Sequence, residues 1–213
     1  MRTAMKEVEQ IWQDALDAYD AGELAYALER ARELARRFPE FQQGLFLQGT
    51  ILVDLARYDE GEALLREALR IYPPEHRHLV YYELGHARQA RGDYAGAETF
   101  YRQGLEAQPG NGSGYVYLGS VLALRGDLRG AEAVHRQGIA CETKAVDEAY
   151  YNLGLVLRGQ ERYAEARECF VAALAAAEDD DYEEASRALE DVEKAMKYLE
   201  HGASGVGDAR REG

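Results

Sequence analysis

Apolar and polar residues along this chain keep a helical period, with apolar or small positions returning at steps of three and four. Tyr81, Leu84, Gly85 and Arg88 fall on one helical face. Gly92-Asp93 breaks that pattern as a tight turn. Tyr94, Ala97, Tyr101 and Gly104 then form a second stripe, and Pro109 closes it. The leading stripe returns as Tyr115, Leu118, Gly119 and Leu122, and again as Tyr150, Leu153, Gly154 and Leu157. The pattern predicts helices in pairs, each pair joined by a short turn.

The pairs repeat. Ala15, Gly49, Gly85, Gly119 and Gly154 are spaced by 34, 36, 34 and 35 residues. Ala27, Gly61, Ala97, Ala131 and Ala166 keep the same steps. Gly22, Gly92 and Gly126 form a turn column, with Ala56 and Glu161 in the equivalent places. Pro39, Pro73 and Pro109 form a fourth. Small residues on both helices of a pair let two antiparallel backbones approach closely. A helix of about 14 residues is marginal alone, so stability must come from stacking one pair on the next.

The unit Tyr81-x2-Leu84-Gly85, Gly92-Asp93-Tyr94, Ala97-x3-Tyr101, Pro109 resembles a tetratricopeptide repeat (TPR). Five repeats are delimited at about 8–41, 42–75, 78–111, 112–145 and 147–180. The first is degenerate, with Ile11, Asp14 and Ala15 in place of aromatic-Leu-Gly, and the closing proline gives way to Thr143 and Glu178 in the last two. The resemblance implies an all-α fold: a TPR-type helical solenoid of five helix-turn-helix repeats, a right-handed superhelix, forming one domain over 1–201.

Beyond the repeats, Ala185, Leu189, Val192, Met196 and Leu199 step by four and three, which predicts an amphipathic capping helix over 182–201. Asp181 with Glu184 reads as its N-cap and capping-box acid. The same helix could instead mediate self-association. Residues 202–213 read as a flexible, glycine-rich tail.

Charge narrows the choice of partner. The chain has 39 acidic against 25 basic residues and a net charge of −14. Half of that excess lies between Glu178 and Glu200, where ten acids meet three bases. Nucleic acid and anionic membrane are poor partners for such a surface. No apolar run reaches the roughly 18 residues of a membrane span, and the start, MRTAMKEVEQ, has no apolar leader core. Two cysteines, Cys141 and Cys169, exclude a disulfide scaffold and are read as buried, inert thiols of a cytoplasmic protein. Arginine outnumbers lysine by 21 to 4, which associates with a GC-rich bacterial genome.

No motif for catalysis emerges, and no cofactor or metal is expected. His76-Arg77-His78 sits in the insertion between repeats two and three and reads as a solvated loop. Pro109-Gly110-Asn111-Gly112-Ser113-Gly114 lacks the GK[ST] ending of a phosphate loop and reads as an inter-repeat turn. The tail glycines follow a helix, so a dinucleotide fold has no support.

The resemblance implies that first helices of successive repeats line a concave groove that holds peptides or helices. One residue past the buried stripe, about 100° around the helix, lies that face. Across the repeats it reads Trp12, Phe46, Tyr82, Val116 and Tyr151, then Leu16, Thr50, His86, Ser120 and Leu155, then Tyr19, Val53, Gln89, Ala123 and Arg158. Four of the five leading positions are aromatic, which suits anchoring, and the rims carry Glu9, Asp20, Asp54, Glu83 and Glu148. The expected partner is a protein or peptide with apolar and basic side chains. Three other readings stay open: the aromatic row as packing between neighbouring helices, the chain's own tail filling the groove, and a homo-oligomer assembled through the C-terminal helix or the first repeat. TPR domains that clamp the acidic C-terminus of a chaperone use lysine, arginine and asparagine at set places. Here those places hold Trp12, Leu16, Leu47, Leu79 and Glu83, and shifting by a repeat supplies no cations either. Such a tail is not an expected ligand.

Overall fold

A computed structural model describes residues 2–141, 145–177 and 182–208. Among them are eleven α-helices, one short 3-10 helix and no strand. The helices are α1 (Arg2–Asp20), α2 (Leu24–Arg37), α3 (Gln43–Asp54), α4 (Tyr58–Ile71), α5 (Arg77–Ala90), α6 (Tyr94–Ala107), α7 (Gly112–Leu124), α8 (Leu128–Ala140), α9 (Val146–Gly159), α10 (Tyr163–Ala176) and α11 (Glu183–Asp208). The first ten form the five expected helix pairs. Two compact units hold them, Met1–Pro109 with three pairs and Gly110–Gly213 with two pairs and α11.

The turn column explains itself in the backbone. Gly22, Gly92 and Gly126 have φ of 75°, 77° and 83°, and the equivalent Ala56 and Glu161 are held at 58° and 61°. Every pair therefore turns through one left-handed residue, which costs a side-chain-bearing residue about 1–2 kcal/mol. The next helix starts where Asp93 or Asp127 accepts the backbone N–H of Gly96 or Gly130, each at 2.9 Å. Asn111 does the same for Gly114 at the start of α7.

Within each unit the second helix of a pair also packs on the first helix of the next, α2 on α3, α4 on α5 and α8 on α9. In the first unit this buries Ala15, Leu28, Leu47 and Ile51 in one cluster and Leu65, Tyr72, Val80 and Leu84 in another. In the second unit Leu153, Leu157, Ala166 and Phe170 meet Ala188 and Val192 of α11. The helix α11 thus covers the last repeat, as a capping helix does. Ion pairs tie neighbouring repeats. Glu62 of α4 receives Arg88 of α5 at 2.5 Å and Arg66 at 2.7 Å. Glu132 of α8 receives Arg162 at 2.6 Å and Arg136 at 3.0 Å.

Four expectations need correction or completion. The last helix runs from Glu183 to Asp208, so 202–208, expected as tail, are helical. No proline interrupts this stretch, and a helix already packed on α10 propagates at the cost of its glycines alone, about 1 kcal/mol each. The Asp181 cap, Thr143 and Glu178 lie outside the described residues. His78 is not in a solvated loop: it is buried in the first turn of α5, its Nδ1 3.0 Å from the Glu75 carbonyl and its ring edge-on to Tyr82. Cys141 and Cys169 are half-buried rather than buried, since Cys141 ends α8 and Cys169 lines a surface pocket with Ile139, Tyr150 and Ala172.

Candidate functional site

The face chosen from the sequence is built by first helices, so each unit carries its own part. In the first unit these are α1, α3 and α5. Trp12 and Leu16 of α1 are half-buried, with the Trp12 ring edge-on to Phe41 at 5.6 Å. Phe46 leans on Tyr72 at 5.6 Å. Tyr82 is only 5% exposed, because Gly104 of α6 leaves a space that its ring fills. Val53 is buried too. The leading aromatic positions of this unit are therefore largely committed to packing, and little of Tyr82 is left for a ligand.

Further along the same helices the side chains turn polar and converge. Tyr19 of α1 donates its hydroxyl to Asp54 Oδ2 of α3 at 2.6 Å. Asp54 is exposed. Glu83 of α5 lies close enough to Asp54 to feel its charge. Burial, then the Asp54 charge, pushes the Glu83 carboxyl up to about 7. Thr50, one turn before Asp54, faces Glu83 and slightly favours its charged form. Its hydroxyl is buried and makes no hydrogen bond of normal geometry among the described residues. Burial, with the Asp54 charge, also holds the Tyr19 phenol far above its usual range.

A second layer supports this cluster. Tyr101 of α6 reaches between the helices of its own pair and donates to Gln89 Oε1 at 2.8 Å. Its oxygen is left to accept from Nδ1 of His86, 3.0 Å away. Burial keeps His86 neutral by lowering its pKa, against the pull of Asp54. Four of the positions chosen from the sequence, Tyr19, Thr50, His86 and Gln89, thus meet in one polar region. Asp54 and Glu83 were read as rim acids, yet Glu83 is half-buried. Tyr101 was read as a stripe residue only, though a tyrosine in an otherwise apolar column needs a partner for its hydroxyl.

The second unit presents a different face. Val116 is buried and Ser120 is half-buried on α7. On α9, Leu155 and Arg158 are half-buried. Tyr151 packs against Phe170 at 5.9 Å and against Tyr182, just before α11, at 5.5 Å. The chain's own last segment therefore occupies part of this face. No group of three or more His, Cys, Asp or Glu residues is placed to hold a metal ion among the described residues. No helix among them is long and apolar enough to cross a membrane.

Family models described as tetratricopeptide repeat match residues 14–76, 82–145 and 147–180. No curated protein matches in sequence. Solved structures do match in fold. A thermophilic TPR protein of Thermus thermophilus, TTC0263, superposes with a TM-score of 0.69 at 18% identity, over 86% of this chain and 97% of that one. YrrB, a TPR protein with an unusual peptide-binding site, gives 0.58 at 19% identity, over 87% and 97%. MamA from Desulfovibrio magneticus RS-1 gives 0.63 at 16% identity, over 79% and 94%.

Proposed function

The chain belongs to the tetratricopeptide repeat family, and from that premise we propose that it is a non-enzymatic scaffold or adaptor that binds a protein segment on its first-helix face. The family makes protein–protein interaction scaffolds. The bound segment is an extended peptide or a helix with apolar anchors and basic side chains. One observation carries this reading: α1, α3 and α5 bring Tyr19, Thr50, Asp54, Glu83, His86 and Gln89 together on one face, with half-buried Trp12 and Leu16 on the same helix as Tyr19. The likeness to YrrB supports it by analogy of fold, since that protein has a peptide-binding site. The uncompensated acids of the face favour basic over acidic segments. The cytoplasm is the proposed compartment.

The test compares wild type with Asp54→Arg in affinity capture from the host's lysate, after melting curves show equal stability. Asp54 is exposed, so the larger side chain blocks the face without entering the core. A partner lost selectively with Asp54→Arg supports the reading. An unchanged partner set moves the function to another surface. A second reading, self-association, rests on Tyr198 and Leu199 of α11, which are 79% and 54% exposed. Light scattering across a concentration range tests it: a mass that does not rise with concentration removes it.

A further inference from the structure

Several acids of the first unit are held by arginine. Glu62 is nearly buried and is saturated by two arginines, Arg66 and Arg88. Glu33 of α2 is likewise held by Arg30 and Arg37, and its carboxyl stays below the usual range mainly through the Arg37 hydrogen bond. Asp54 and Glu83 differ in that they face each other across α3 and α5. Neither has an ion-pair partner among the described residues, although the unit is rich in arginine. Two carboxylates facing each other without a cation repel, and a half-buried one without a cation beside it is costly.

The site around them is built for something more. Tyr19 fixes one oxygen of Asp54 with its 2.6 Å hydrogen bond and leaves the carboxylate open to solvent. Beneath, the Thr50 hydroxyl is on a side chain 8% exposed and aims at Glu83 without a well-formed bond. On the other side His86 is kept neutral by burial and turned toward Tyr101, so it offers the cluster no positive charge. The groups acting on Glu83 are therefore Thr50 and Asp54 from α3 and Tyr19, with Asp20 behind it, from α1, while His86 of its own helix lies near Asp54. All are neutral or acidic. Two carboxylates with a hydroxyl acceptor behind them match the donors of an ammonium or the fork of a guanidinium. Two acids alone do not make a metal-binding group, and none is found among the described residues.

We propose that Tyr19, Thr50, Asp54 and Glu83 form a cation subsite that receives one Lys or Arg side chain of the segment bound on this face. The proposal rests on the face reading given above and adds the chemistry of its central anchor. Binding of the cation restores the compensation that the fold withholds. Because Glu83 titrates near neutrality, binding also releases its proton. Affinity then rises with pH, by about tenfold between pH 6 and pH 8 for one group with a pKa near 7.

The test uses the full chain and a displayed library of random 12-residue peptides, selected in parallel on wild type, Asp54→Asn/Glu83→Gln and Asp54→Arg. The asparagine and glutamine variants relieve repulsion and keep an acceptor for Tyr19, so they should fold at least as well as wild type. The proposal predicts Lys or Arg enriched in the wild-type selection and not in the Asp54→Asn/Glu83→Gln selection. Replacing that cation by norleucine or citrulline in a synthetic peptide should weaken wild-type binding by about tenfold or more, and binding to the double variant by less than about threefold. The rise of affinity from pH 6 to pH 8 should vanish in Glu83→Gln. Peptides that bind wild type, fail on Asp54→Arg and carry no cation preference overturn the subsite and leave the face standing. Peptides that bind Asp54→Arg as well as wild type, or no enriched peptide at all, overturn both.

Discussion

In the third repeat the aromatic slot of the second helix holds Tyr101; in the fourth it holds His135. Each ring lies over the glycine of its partner helix, Gly85 or Gly119, where a Cβ would overlap it. Tyr101 is fully buried, yet its hydroxyl crosses to Gln89 and His86 on the polar side of α5. His135 is 1% exposed, and neither ring nitrogen has a hydrogen-bonding partner among the described residues. Burial alone lowers its pKa to about 4. One template thus gives two outcomes. In the first unit the slot residue braces a polar face from behind. In the second it is a liability within its own helix pair, and the first-helix face there mixes Val116 and Leu155 with Ser120 and Arg158 and is partly covered by Tyr182.

The largest test of this contrast removes the brace. Tyr101→Ala should cost about 3–5 kcal/mol in urea denaturation, because it opens a cavity beneath Gly85 and strands Gln89 and His86. A loss under about 1 kcal/mol would show that the slot is not a keystone. His135→Phe should act in the opposite direction. The fifth repeat already holds Phe170 over Gly154, so the slot accepts a phenyl ring. Removing two unsatisfied nitrogens should raise stability by about 1–3 kcal/mol at pH 7.5.

Acid sharpens the same comparison. The His135 pKa is lower in the folded chain than its ordinary 6.5, so below pH 6.5 the unfolded chain takes up a proton that the folded one refuses. Stability is therefore lost as pH falls from 6.5 towards 4, by up to about 3 kcal/mol from this group. Denaturation midpoints across that range should fall for wild type and fall less for His135→Phe. Parallel curves for the two proteins would remove His135 from the account. The smallest effect concerns the turns. Ala56→Gly and Glu161→Gly relieve left-handed backbone strain at φ near 60° and should each gain about 1 kcal/mol in thermal melts, whereas Gly92→Ala should lose a similar amount.

Much of the fold was legible because small residues leave a spacing signature. Gly85, Gly119 and Gly154 mark the places where a ring from the partner helix must lie, and the column of Gly22, Gly92 and Gly126 carried Ala56 and Glu161 with it to positive φ. The end of α11 was not legible, since glycines weaken a helix without forbidding it. The candidate site was legible as a face and not as a cluster. Helical geometry places Tyr19, Thr50, His86 and Gln89 on one side, but depth depends on the partner helix. Gly104 draws Tyr82 into the core, and the packing of α3 against α5 draws Glu83 inward beside Thr50. His135 was missed although it lies 34 residues after Tyr101 and 35 before Phe170. The spacing was available, but a histidine does not announce itself as an aromatic core residue.

Binding on the first-helix face of the first unit is what we propose for this protein. Hydrogen exchange on the full chain, with and without a peptide selected from the random library, tests it most directly. The account predicts slowed exchange on binding in α1, α3 and α5, strongest near Tyr19, Thr50 and Glu83, and abolished by Asp54→Arg. Protection confined to α11 or to the second helices of the repeats would contradict it.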